Sequence, residues 1–319
     1  MSAAPGLTLE QTTALTRRVT GLSVVVAATL IVLKAVVWQV SGSVAVLASL
    51  ADSALDLLAS LLTYFAVRYA AVPADAEHRY GHGKAEAFAA LAQAGIVLMS
   101  AALIAREAGA RLLDPAPLQH EQWAVGVMLV SMLLTGGLVV AQTRVLRRTG
   151  SVAVSGDRAH YFSDLASNLV ALVGVGAAAL LDQPALDAAA GVIVAAWLVW
   201  GAYAVFRESS RHLMDRELDD EARAEIRRRL YADTAVRGVH QLRTRSSGPY
   251  VHIQAHIDLD PHQSLLEAHE VLTAAEDRLL ELYPSADIIL HPDPQGHAEE
   301  HDEPFSEESG GRNPAATTR

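Results

Sequence analysis

Long apolar stretches separated by short polar connections fill the first two thirds of the chain, and the pattern changes after about Arg207. A bilayer core about 30 Å thick is crossed by roughly 20 mostly apolar residues in helical form. Stretches of that length run over residues 19–40, 44–67, 85–104, 123–142, 152–181 and 185–206, and the fourth holds no charge. The connections Ser41-Gly42-Ser43, Asp114-Pro115-Ala116-Pro117 and Asp182-Gln183-Pro184 are short and lack Lys and Arg. The opposite ends carry Arg17, Arg18, Arg68, Arg79, Lys84, Arg144, Arg147, Arg148, Arg207 and Arg211. An excess of Lys and Arg marks the cytoplasmic side, so both termini are expected there.

Beyond Arg211 the period changes. A charged amphipathic stretch over 219–231 reads as helix, and alternating runs over 239–245 and 250–258 read as strands joined through Ser246-Ser247-Gly248-Pro249. Residues 263–283 read as helix and 287–291 as a short strand. The order αββαβ predicts helices on one face of a small sheet. The fold class expected is an all-α six-helix membrane bundle joined to a small cytoplasmic α+β domain of ferredoxin-like, metallochaperone-like type. The domains expected are a cytoplasmic N-terminal segment (1–18), the bundle (19–208), a small cytoplasmic domain (209–294) and a disordered acidic tail (295–319).

Composition supports a membrane protein: of 319 residues 51% are hydrophobic and only 19% charged, with a mean hydropathy of +0.22. Residues 1–10 lack the basic start, apolar centre and small-residue cleavage site of a secretory signal, so the first apolar run is expected to be retained. Cysteine is absent, which excludes disulfides and thiolate sites and leaves metal binding to His and carboxylates. A net charge of −11 argues against nucleic acid as a partner.

The apolar stretches contain an anomaly. Asp52 with Asp56, and His160 with Asp164, are four positions apart inside runs two and five. Each ionisable group at the bilayer centre costs roughly 2.5–3.5 kcal/mol on insertion scales. Residues at i and i+4 share a helix face, so two facing helices would present one imidazole and three carboxylates, a donor set that suits a divalent ion such as Zn²⁺. If Ser151 caps the fifth helix, His160 lies about 13 Å into it at 1.5 Å per residue, and Asp52 is similarly deep from the other side. Inter-helix hydrogen bonds or ion pairs are the alternative, but Lys34 alone cannot balance three acids. Asn168, one turn further along, suits packing rather than ligation.

Two further groups are open to two readings. Asp75, His78 and His82, with Gly81 and Gly83 allowing a turn, suit either a metal at the membrane surface or simple surface polarity. His240, His256, His269, His291 and Asp293 are dispersed over the soluble domain; strand ends and one helix face can bring them together, and scattered surface histidines are the other reading.

These segments together resemble the cation diffusion facilitator family, within it the bacterial ferrous-iron and zinc efflux pump type, over nearly the whole folded chain to about Asp293. The resemblance rests on Ser49-Leu50-Ala51-Asp52-Ser53-Ala54-Leu55-Asp56, on His78-Arg79-Tyr80-Gly81-His82-Gly83-Lys84-Ala85-Glu86, on His160-Tyr161-Phe162-Ser163-Asp164 and on Leu242-Arg243-Thr244-Arg245-Ser246-Ser247-Gly248-Pro249. It implies a transport site at Asp52, Asp56, His160 and Asp164, a loop site at Asp75, His78 and His82, and a paired-ion site at His240, His256, His269, His291 and Asp293. Pro292 stands between the last two, where relatives offer a side chain or carbonyl. It further implies a homodimer in the bacterial inner membrane with Lys84 and Asp215 as salt-bridge candidates, and divalent metal as both substrate and structural or regulatory ion without an organic cofactor. The activity implied is metal efflux, of Zn²⁺ or of Fe²⁺ or Cd²⁺, in exchange for protons with His160 as the coupling residue.

A passive channel is the nearest alternative function. An intramembrane metalloenzyme would need a metal-bound water and a general base. The strings His120-Glu121 and His269-Glu270 lack a second His at helical zinc-motif spacing. A metal sensor using its helices only as an anchor would not need ionisable residues inside the bilayer.

Overall fold

The structure is a computed structural model that describes residues 7–42, 44–113, 122–181 and 184–297. The expected connections at 114–117 and 182–183, His120, and the expected disordered tail after His297 lie outside the described residues. Two compact units are present, one of them Thr13–Leu213 and the other built from Met214 onward.

The first unit holds α1 (Leu9–Ser41), α2 (Val44–Ala70), α3 (Ala85–Leu113), α4 (Gln122–Thr149), α5 (Val152–Leu181) and α6 (Pro184–Leu213). Among the described residues five of these, all but α5, contain an apolar span long enough to cross a membrane. The sixth, α5, has 30 residues and carries Asp157, Arg158, His160 and Asp164 in its first half. Together they form the six-helix bundle. The helices outrun the apolar stretches because their ends continue with polar residues such as Glu10, Arg68 and Arg147. Val32, Leu58, Leu133 and Trp200 are more than half exposed on the outer faces, as a lipid-facing surface requires.

Small residues let the helices approach closely. Ala90, Ala94, Val152 and Val205 join α3, α5 and α6, and Val97, Ala101, Ala166, Val194, Leu198 and Ala202 extend the same seam. Gly156 of α5 sits so near α3 that a Cβ there would meet Ala90 Cα at 2.8 Å. The start of α5 is held from two sides. Gly150, at φ +64°, ends α4 by donating its N–H to Leu146 O at 2.9 Å. Ser151 then caps α5, its Oγ accepting from Val154 N at 3.3 Å. The buried Glu86 carboxylate of α3 accepts from Ser151 Oγ at 2.5 Å and from the N–H groups of Val152 and Ala153, where the helix dipole favours a negative charge.

The second unit follows the αββαβ order, with α7 (Asp220–Leu230), β1 (Gly238–Ser247), β2 (Tyr250–Leu259), α8 (Leu265–Leu282) and β3 (Ala286–Pro294). Asp219 caps α7, and Ser264 with Glu267 forms a capping box on α8. The sheet order is β1-β2-β3, with β1 antiparallel and β3 parallel to β2. Ser246 and Ser247 belong to β1, so the turn is the two residues Gly248 and Pro249 rather than the four expected. Val251, Ile253, Ala255, Ile257 and Leu259 pack on Ile226, Leu230, Leu272, Ala275 and Leu279 of the helices.

The alternate residues of β2 therefore face away from the helices. On β1 the register shifts between His240 and Arg243, with Gln241 at φ +49°, which is a β-bulge. Leu242 and Thr244 are buried on the helix side. Strict alternation would put His240 there as well; the bulge turns it outward, opposite His256.

Replacing Gly156 with Ala should force α5 off α3 and cost about 1–3 kcal/mol, the usual range for overpacking. Thermal unfolding in detergent would show the loss; an unchanged melting temperature would contradict the close approach.

Candidate metal centres

In the membrane unit, α2 and α5 bring Asp56, His160 and Asp164 together, one ligand atom from each within 4.8 Å of the others. His160 Nε2 lies 3.2 Å from Asp56 Oδ1 and 3.7 Å from Asp164 Oδ2. Four ligands about 2.0–2.1 Å from a tetrahedral ion stand roughly 3.4 Å apart, so this spacing already suits such an ion. His160 is 3% exposed, and both its ring nitrogens, like Asp164 Oδ2, make no hydrogen bond among the described residues. Buried polar atoms are ordinarily satisfied, so a set left unengaged fits a cation.

Asp52 lies one turn before Asp56 on α2 and outside this close group, with its side chain exposed. Lys34 is buried and donates to Ser53 Oγ at 2.7 Å and to Ser49 O at 3.1 Å. Its ammonium interacts electrostatically with Asp52, Asp56 and Asp164, so the cation noticed in the sequence is a neighbour of the acids.

The loop between α2 and α3 gathers Asp75, His78 and His82. Asp75 Oδ1 accepts from the N–H groups of Glu77 at 2.9 Å and His78 at 2.6 Å, an Asx-turn that fixes the carboxylate. Those bonds, His78 N–H first, hold the Asp75 carboxyl below the usual carboxylate range. His82 Nε2 is 3.3 Å from Asp75 Oδ2, and His78 Nδ1 is 3.4 Å from Asp75 Oδ1. The His82 ring packs 4.5 Å from that of Tyr69, and its Nδ1 is 3.3 Å from Val72 O, so one partner histidine is fixed and buried while the other is exposed.

In the sheet, His240, His256 and His291 form a row across β1, β2 and β3, with Asp258 opposite Asp293 in the next row. Asp293 Oδ2 lies 3.2 Å from His240 Nε2 and 2.8 Å from His256 Nδ1, and its Oδ1 lies 3.4 Å from His291 Nε2. Asp258 Oδ1 is 3.3 Å from His240 Nε2, and neither atom makes a hydrogen bond among the described residues. Asp258 escaped the sequence reading, although His252, Gln254, His256 and Asp258 alternate on one face of β2. His269 is exposed on α8, outside this group. His252 pairs with Asp287 at 3.0 Å in a separate row, where burial outweighs the carboxylate and pushes the imidazole below the usual histidine range.

The salt-bridge candidates have neighbours within their own units. Asp215 accepts from Arg245 at 3.1 Å, and Lys84 Nζ donates to Leu213 O at 3.3 Å. Arg211 pairs locally with Glu208 at 3.2 Å.

A Cβ on Gly238 would collide with Asp258 Oδ2. Gly238→Ala should displace that carboxylate and weaken metal binding by this domain about tenfold, the lower end of the usual range for disturbed ligand surroundings. Zinc titration calorimetry on the full chain is the check; superimposable isotherms would detach Asp258 from the group.

Comparison with known proteins agrees with this architecture. Residues 21–214 match the cation efflux transmembrane domain, and residues 218–295 match the cation efflux protein cytoplasmic domain. The cation-efflux pump FieF of Shewanella oneidensis is 42% identical over 275 residues, covering 85% of this chain and 92% of its own. FieF of Klebsiella pneumoniae is 38% identical over 268 residues, 84% and 89% of the two chains, and that of Yersinia enterocolitica 38% over 270 residues, 85% and 90%. With both units matched in order, the chain belongs to the cation diffusion facilitator family and is a membrane transporter for cation efflux, not an enzyme.

Proposed function

We propose that the chain exports a divalent metal, zinc in the first place with Fe²⁺ and Cd²⁺ as further candidates, in exchange for protons. The observation that carries this reading is the single His160 Nε2 aimed at both Asp56 and Asp164. A divalent ion bridges those atoms when the imidazole is neutral; a proton on Nε2 lies between the same two carboxylates and displaces it. His160 is thus the coupling residue, and Asp52 supplies the fourth ligand as α2 and α5 adjust. Alternating access exposes the site first to the cytoplasm and then to the outside.

The remaining roles follow the same reading. The protein works as a homodimer in the inner membrane, joined through the domain at 209–294, with both termini cytoplasmic. In the dimer His269 contributes to the group at His240, His256, Asp258, His291 and Asp293, and Lys84 with Asp215 forms a contact near the membrane surface. Asp75, His78 and His82 collect metal at the cytoplasmic mouth.

The test is zinc flux into proteoliposomes under an imposed pH gradient. Wild-type flux should follow the gradient, and Asp56→Ala or His160→Ala should lower it by at least about tenfold while the protein stays folded, as loss of a metal ligand does. Flux indifferent to the gradient would favour a channel; near-normal flux in both variants would remove the site.

A further inference from the structure

One turn before His160 on α5, Asp157 is buried to 1% exposure with no part in the metal group. Its Oδ2 accepts from Ser23 Oγ of α1 at 2.6 Å and from Gln142 Nε2 of α4 at 2.8 Å. Its Oδ1 faces Gln93 Nε2 of α3 at 3.5 Å. The same Gln93 amide reaches α2, donating to Ala59 O at 3.0 Å and Thr63 Oγ1 at 2.9 Å. Tyr161, beside His160, bonds Ser60 of α2 at 2.6 Å and donates to Ser23 O of α1 at 3.3 Å. Ser23, Ser60, Thr63, Gln93 and Gln142 are all fully buried.

Side chains of α1, α3 and α4 thus face one carboxylate of α5, and α2 joins the network through Gln93 and Tyr161. Cohesion alone does not call for it, because the small-residue seams already pack these helices and a buried carboxylate in hydrocarbon is costly. What hydrogen bonds add to packing is direction. Seven residues turn a helix to within about 20° of its starting face, so Asp157 and Asp164 lie on one face two turns apart. His160 lies between them, about 60° to one side. Pinning Asp157 sets the rotation and height at which α5 presents His160 and Asp164 to Asp56.

We propose that Asp157 is the positioning residue of the transport site, a hydrogen-bonded hub through which α1, α2, α3 and α4 hold α5 in register. The proposal rests on the transport reading above. It requires the hydrogen bonds and not the negative charge. Gln93 Oε1 and Gln142 Oε1 are buried without a hydrogen-bond partner among the described residues, so rotation of the Gln142 amide would give an Asn at 157 an acceptor. Asn retains the hub; Leu, of similar size, abolishes it.

The test compares zinc-dependent flux of the full-length wild type, Asp157→Asn and Asp157→Leu in proteoliposomes, with Asp56→Ala as a site-defective control. Asp157→Asn should keep the KM for zinc within about threefold, and Asp157→Leu should raise it at least about tenfold, the effect of a lost group that orients ligands. A wild-type KM in Asp157→Leu, or an Asn variant as impaired as Leu, overturns the proposal. If Asp157→Leu does not fold, Gln142→Leu and Ser23→Ala each remove one arm; a raised KM in both supports the hub, and wild-type KM in both overturns it. Absence of flux in the wild type, or normal flux in Asp56→Ala, would instead strike the transport reading itself.

Discussion

Hydrocarbon offers a carboxylate no water, and the membrane unit answers that constraint in two opposite ways on one helix. Asp157 has one oxygen held by Ser23 and Gln142 and the other facing Gln93. Two turns on, Asp164 Oδ2 and His160 Nδ1 make no hydrogen bond among the described residues. The first arrangement is what a structural group in a bilayer needs. The second is tolerable only if something else satisfies it, and under the proposed transport reading a cation in transit does so while it is there. A transport site must differ from a structural one in this respect, because an ion bound to fully satisfied ligands would have nothing to gain on entry.

The helical pairs were legible because four-residue spacing on an apolar helix has few innocent explanations. His160 and Asp164 do converge with Asp56. Asp52 shared that spacing yet stands apart from the close group, since i,i+4 periodicity fixes a face and not which of two side chains reaches across. Asp157 has no His, Asp or Glu four positions away. Gln93, Gln142, Ser23 and Thr63 interrupt four different apolar stretches; their meeting is tertiary, and no local period announces it. The signal available was that four apolar stretches each carried an uncharged hydrogen-bonding residue with no evident partner.

In the soluble domain the αββαβ order followed from alternation, and the outward face of His256 and Asp258 was open to the same count on β2. His240 could not be placed by parity. Val239 and Leu242 are three apart, an odd spacing that a regular strand cannot bury on one side, and that interval marks the bulge. The four groups around Asp293 thereby share one sheet face, while the loop group owes its shape to an Asx-turn and the membrane group to helix rotation. Three unlike scaffolds produce similar sets of imidazole and carboxylate.

The bulge makes the ligand set depend on a residue that touches none of it. Gln241 holds a left-handed backbone at φ +49°, a region that β-branched side chains enter at real steric cost. A chain with Val at that position would be drawn toward regular pairing, and a one-residue slip exchanges every side chain before it between the two faces of the sheet. His240 would then enter the helix-packed interior and Val239 would take its place among the carboxylates. The strand is in this sense a two-position selector, and the backbone preference of one glutamine decides which side chain it offers to the carboxylates.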